Sequence, residues 1–343
     1  MKYFTNIHKN KTYNLIIRLA IIFATYYFIY KHIFHKRRLD FVVESFSDLV
    51  SNPHFTVLLT WTFLLMIVNW GIESLKWQYL INKVESLSFL KSFQAVLSGI
   101  SVSLFTPNRV GEWFGRVFMM KKANPWKGVF ITMIGSFSQL LITLIIGSIS
   151  LVFFVPIYLG EYNFYSNYLL YGLILLVTVI IATLILIFLN ITAAPAIIQR
   201  FIKKRFVHFN DYLSVISSYS SIELLTVLLL SFLRYFVFTL QFYILLMMFS
   251  VEIPIFHGLM IITMVFFIMT AIPTVTLAEL GVRGSVSIFF IGLYFETFSE
   301  LTEKINIGIL ASTSLLWLIN LAIPAIFGTI FVSRLNFFRK NQR

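Results

Sequence analysis

Apolar residues run along this chain in long blocks, and polar residues collect at a few points between them. Crossing about 30 Å of hydrocarbon takes roughly 20 predominantly apolar residues in a helix. By that measure, spans are predicted near 14–34, 55–73, 127–155, 168–192, 221–250 and 305–333. The blocks do not alternate apolar and polar at period two, so a transmembrane barrel is not expected. Two further pairs of shorter apolar helices, 88–105 with 112–122 and 258–272 with 284–298, are each split by a polar stretch. The predicted fold is all-α, a polytopic membrane helical bundle with two re-entrant helical hairpins in an inverted repeat. Residues 1–343 form a single integral-membrane domain, with halves 1–155 and 168–333 and an amphipathic linker at 195–220 that contains "RFIKKRF".

Composition supports this reading. Of 343 residues, 59% are hydrophobic and only 12% charged, about half the charged share of a soluble domain. The block at 14–34 follows a basic start, but it is too long and aromatic for a cleaved signal and no small-residue cleavage site follows it. The net charge of +13 is scattered between spans, which points to membrane topology and not to nucleic acid. With each split pair entering and leaving on one side, 18 of the 27 lysines and arginines fall on the same face of the membrane. That bias places both termini in the cytoplasm and the protein in the cell (inner) membrane. The cluster "HKRR" at 35–38 is the exception. The absence of cysteine excludes disulfides, thiolate metal sites and a cysteine nucleophile. The six histidines lack ligand spacing and no P-loop is present, so neither a metal nor another cofactor is expected.

The two polar stretches carry the candidate chemistry. In "LFTPNRVGEWFGRVFMMKK", Pro107 is followed by Arg109, Gly111, Glu112 and Arg116; in "AIPTVTLAELGVRGSVSIFF", Pro273 is followed by Glu279, Gly281 and Arg283. Each glutamate stands four residues before an arginine, one helical turn apart on a shared face. Pro107, Gly111, Pro273 and Gly281 are read as the hairpin breakers, since proline and glycine leave backbone groups unsatisfied. A half-helix starting after such a break aims its amide end at an anion, and arginine forks match phosphate oxygens. A Pro-Gly turn beside a Glu–Arg pair also serves as a plain interfacial joint, but two related motifs in oppositely directed hairpins favour a lipid-headgroup site.

Arg234 lies in the middle of a predicted span, where a charge faces a cavity or a partner, with Glu112 or Glu279 as candidate partners. Gln241, Ser136 and Gln139 are read as interhelical hydrogen-bonding residues. Glu73 and Lys76 are expected at the interface, where they end the second span, with Trp70 and Trp77 in an aromatic belt.

"SLFTPNRVGEWFGRVFMM" and "IPTVTLAELGVRGSV" resemble the two signature stretches of the lysylphosphatidylglycerol synthase transmembrane-region family, which includes the flippase domain of the bacterial multiple peptide resistance factor. The resemblance implies a multi-span protein in which Arg109, Glu112, Arg234, Glu279 and Arg283 line a headgroup cavity. Its best-studied kind moves an aminoacylated phospholipid between leaflets. The second motif departs from the family's usual pattern, with Ala278-Glu279 before Leu280-Gly281 and Gly284 after Arg283. The chain ends ten residues after its last span, so no soluble catalytic domain is expected.

The function expected is a lipid translocase, not an enzyme, that binds a membrane phospholipid or polyprenyl-phosphate headgroup in a mid-membrane cavity. The competing reading is an intramembrane transferase on a lipid-linked sugar or aminoacyl group, or an accessory subunit of one, with Glu112 or Glu279 as base. A small-ion transporter is a third class, one that calls for mid-span acids beyond the motif glutamates. The partners expected are the lipid itself, a second copy in a homodimer, and a separate synthase or glycosyltransferase.

Overall fold

A computed structural model describes residues 53–104, 106, 109–159, 166–196, 212–273 and 276–332, together with Leu19 and Phe23. Most of the span at 14–34, the cluster at 35–38, Pro107, most of the 195–220 linker and both termini lie outside the described residues. From Pro53 on, ten α-helices are described: α1 (Pro53–Ile81), α2 (Phe89–Ser103), α3 (Gly111–Val117), α4 (Pro125–Leu159), α5 (Asn167–Leu189), α6 (Ser221–Met248), α7 (Ile255–Ala271), α8 (Thr276–Phe298), α9 (Glu303–Trp317) and α10 (Ile323–Val332). A π-helical turn, Leu318–Ala322, joins the last two into one continuous run. No strand occurs among the described residues. The protein is therefore an all-α, multi-pass membrane bundle, with five helical runs long and apolar enough to cross a bilayer among the described residues.

The helix boundaries follow local chemistry. Ser220 and Glu223 cap the start of α6 reciprocally, each side chain taking the other residue's backbone N–H. Ser166 and Thr302 accept first-turn amides at the starts of α5 and α9. Helix α5 is apolar nearly all round and largely exposed, as a lipid-facing helix is. Helices α1, α6 and α4 pack together as the centre, with α2, α3 and α10 on one flank and α7, α8 and α9 on the other.

The first split pair is a tight hairpin. A Cβ on Gly115 would stand 2.6 Å from the Cα of Gly99, so these two glycines let α3 lie against α2. At seven residues, α3 is only about 10 Å long and cannot cross hydrocarbon alone. Gly111 fits the turn because a Cβ there would meet the Val102 carbonyl oxygen at 2.5 Å; its N–H donates to Thr106 Oγ1 at 2.9 Å.

The second pair departs from the expected layout. Helix α8 begins at Thr276, eight residues before the predicted start at 284, so Gly281 sits inside a helix and breaks nothing. The interruption falls between Ala271 and Thr276, at Pro273, whose missing N–H and fixed φ end α7. With 23 residues, about 34 Å, α8 is more than three times as long as α3, so the two pairs are not matching elements.

The second predicted span is also corrected. It does not end at Glu73 and Lys76: α1 continues to Ile81, and both residues are buried, at 4% and 1% exposure. Trp70 and Trp77 are buried beside them instead of lying in an interfacial belt. The charges need no water because other helices supply their partners.

Candidate functional site

Five cations and three carboxylates meet inside the bundle, in two linked groups. The first is centred on Glu73 of α1. Its Oε1 lies 2.8 Å from Arg116 Nη1 of α3, and its Oε2 lies 2.8 Å from Lys76 Nζ, one turn on, and 3.3 Å from Arg234 Nη1 of α6. Lys76 also donates to Ser231 Oγ at 3.3 Å, and that hydroxyl shares a 2.7 Å hydrogen bond with Ser138. Arg116, 3% exposed, completes its pairing with Glu112 on its own helix. Arg234 donates to Gln139 Oε1 at 3.3 Å and lies over the Trp70 ring, 5.1 Å from its centroid.

The second group joins the two motifs. Arg109 Nη2 donates to both oxygens of Glu279, at 2.8 and 3.0 Å, and Glu279 also pairs with Arg283 one turn along α8. Arg283 in turn covers the Phe238 ring at 5.8 Å from the centroid. Arg109 holds a left-handed backbone, φ 57°, a conformation that costs a residue with a Cβ on the order of 1–3 kcal/mol. That geometry, at the turn before α3, carries its side chain across to α8.

Beside these ions lies a hollow of about 320 Å³ whose lining includes Arg109, Arg234, Glu279 and Arg283 with Asn69, Trp70 and Asn320. A second hollow, about 470 Å³, shares Arg109, Met269, Thr270 and Glu279 with it and reaches the break at Ile272 and Pro273. The two share these residues and form one recess that extends to Ile272 and Pro273 at the end of α7. Three guanidinium groups face a single carboxylate in this lining, an excess of two positive charges; the whole network shows the same excess. Several buried polar atoms of lining residues have no partner among the described residues: Trp70 Nε1, Asn69 Oδ1, and the Nε of Arg234 and Arg283. Donors left unpaired in an apolar bundle are costly.

Of the six ionic residues predicted for the site, Arg109, Arg234, Glu279 and Arg283 line the recess. Glu112 and Arg116 stand behind it, tied to Glu73. Arg234 pairs with Glu73, not with Glu112 or Glu279 as expected. Ser136 accepts from Trp113 Nε1 at 3.1 Å and Gln241 donates to the Thr62 carbonyl at 2.9 Å, interhelical bonds of the kind expected.

Sequence reading missed Glu73, Lys76, Asn69 and Asn320. A signal existed: Asn69, Glu73 and Lys76 recur at steps of four and three residues, one polar stripe along α1. It also missed Glu85, whose carboxylate accepts the backbone N–H groups of Lys121, Lys122 and Ala123 at 2.8–2.9 Å and fixes the chain after α3.

A bundle of spanning helices around a cationic recess, with two charged motifs bridged by an ion pair, defines a multi-pass membrane protein with an internal, positively charged hollow. Residues 15–298 match the family described as Lysylphosphatidylglycerol synthase TM region, and the chain belongs to that family. No curated protein and no solved structure matches it.

Proposed function

We propose that this protein is a lipid translocase that binds the phosphate-bearing headgroup of a membrane lipid in the recess and passes it between leaflets. The observation that carries this reading is the Arg109–Glu279–Arg283 bridge in the lining of a cavity with two surplus positive charges. An entering phosphate shares Arg109 and Arg283 with Glu279, taking guanidinium N–H groups such as Arg283 Nε that the carboxylate leaves free. Its pull on Arg109 weakens the ion pair between the first hairpin and α8, and this couples occupancy to movement of the two motifs. The orientation we assign puts both termini and the ridge of Lys83, Lys91, Lys121 and Lys122 in the cytoplasm. The lipid would come from a separate synthase or glycosyltransferase.

The geometry favours transport over transfer. A general base needs a free lone pair aimed at its substrate, and arginines already occupy Glu112 and Glu279.

Reconstitution into liposomes with labelled lipids tests the proposal. Exchange between leaflets should be accelerated by the protein and slowed about tenfold or more by Arg283→Gln, the loss of one charge-assisted hydrogen bond. Unchanged exchange across both phospholipids and polyprenyl phosphates would end the transport reading.

A further inference from the structure

Within the headgroup site proposed above, on which this step rests, we infer that the lipid accepted is a phosphate ester of a neutral polyol, glycerol or a sugar, in preference to one that bears an amine or a quaternary ammonium. The first argument is charge. The lining of the recess already carries two surplus positive charges, and an anionic headgroup offsets them while a zwitterionic or cationic one does not.

The second argument is the lack of a seat for a cation. An ammonium needs a free carboxylate or an open aromatic face. Both oxygens of Glu279, the one carboxylate in the lining, are engaged by Arg109 and Arg283. Glu73, behind the lining, is engaged by Lys76, Arg116 and Arg234. Two of the lining's aromatic rings already carry guanidinium groups, Arg234 over Trp70 and Arg283 over Phe238. The protein's own cations thus occupy the carboxylate and part of the aromatic surface that a cationic headgroup would use.

The third argument is what remains free. Among the described residues, Trp70 Nε1 is a donor and Asn69 Oδ1 an acceptor without a partner, both in side chains at least 96% buried. Asn69 is held in place because its Nδ2 donates to Asn320 Oδ1 at 3.1 Å, and Asn320 in turn donates to Gln241 Oε1 at 2.9 Å. A neutral donor and a neutral acceptor in one lining suit a polyol, whose hydroxyl groups both give and take hydrogen bonds. Phosphate on the arginines and hydroxyls on the Asn69–Trp70 pair together use the groups that the protein leaves unmatched.

Equilibrium binding of short-chain lipids to the full chain in neutral detergent tests the inference. Phosphatidylglycerol and a soluble glycosyl-phosphate lipid should bind at least about tenfold more tightly than phosphatidylcholine, phosphatidylethanolamine or the lysyl ester of phosphatidylglycerol. The stronger of the first two identifies the polyol. If an amine-bearing lipid binds as tightly or more tightly, the inference is overturned while the headgroup site stands. If Arg283→Gln weakens none of the lipids, the headgroup site itself fails and the inference falls with it. Trp70→Phe keeps an aromatic ring beneath Arg234 and removes the N–H together with part of the indole. It should cost the polyol lipids about three- to tenfold in affinity and leave phosphatidic acid unchanged; equal loss for both, or none, removes the hydroxyl contact.

Discussion

Glu73 holds three cations in one place. Its two oxygens meet Lys76, Arg116 and Arg234, which come from three helices. Removing one partner from a buried ionic cluster leaves the others uncompensated, at a cost of about 3–5 kcal/mol. Glu73→Gln is therefore expected to lower the melting temperature in detergent sharply, and Glu73→Gln with Lys76→Met to regain part of the loss. A single variant with an unchanged melting curve would show that the cluster contributes little. Arg109 makes the opposite kind of prediction. Glycine relieves its left-handed backbone and so offsets part of the loss of the Glu279 pair, so Arg109→Gly should cost clearly less thermal stability than Glu73→Gln while transport falls about tenfold or more. A parallel loss of stability and transport would contradict this split. The motif arginines were legible in the sequence because proline and glycine flank them. Glu73 was not, since a Glu–Lys pair beside two tryptophans also fits an interface, and only the arrival of Arg116 and Arg234 from elsewhere distinguishes the two.

At the scale of helices, the first hairpin depends on backbone proximity. Helix α3 is too short to be stable alone, and it is held by Gly115 against Gly99, by Arg116 against Glu73, and by Glu85 under its following turn. Gly115→Ala forces a methyl group into a backbone contact of 2.6 Å and should destabilise the fold by about 1–3 kcal/mol, read as a lower melting temperature. Gly281→Ala is the control: a Cβ there meets nothing within 4 Å, and a helix-interior glycine replaced by alanine is expected to stabilise by up to about 1 kcal/mol. Matching effects at the two positions would mean that neither glycine acts through packing. The contrast also explains an error in reading. Composition marks Gly111 and Gly281 alike as breakers, but glycine only permits a break, and Pro273 supplies the one between α7 and α8.

For the whole molecule, the proposed orientation yields a direct test, because the chain has no cysteine to remove first. A single cysteine at Lys122 should react with a membrane-impermeant maleimide only after cells are permeabilised, and one at Glu300 should react in intact cells. Labelling of both from the same side would refute the arrangement and, with it, the opposite entry of the two pairs. Hydropathy alone determined that this is an all-α multi-pass bundle, because a stretch of about 20 apolar residues must form a helix to satisfy its backbone in lipid. Local spacing likewise determined that Glu112 pairs with Arg116 and Glu279 with Arg283, one turn apart on single helices. Only the tertiary structure decided that Arg109 reaches Glu279, that Arg234 answers Glu73, and that a recess with unpaired donors lies beside them. Those pairings span between 161 and 170 residues of chain, a separation at which no periodicity operates and partners are chosen by packing.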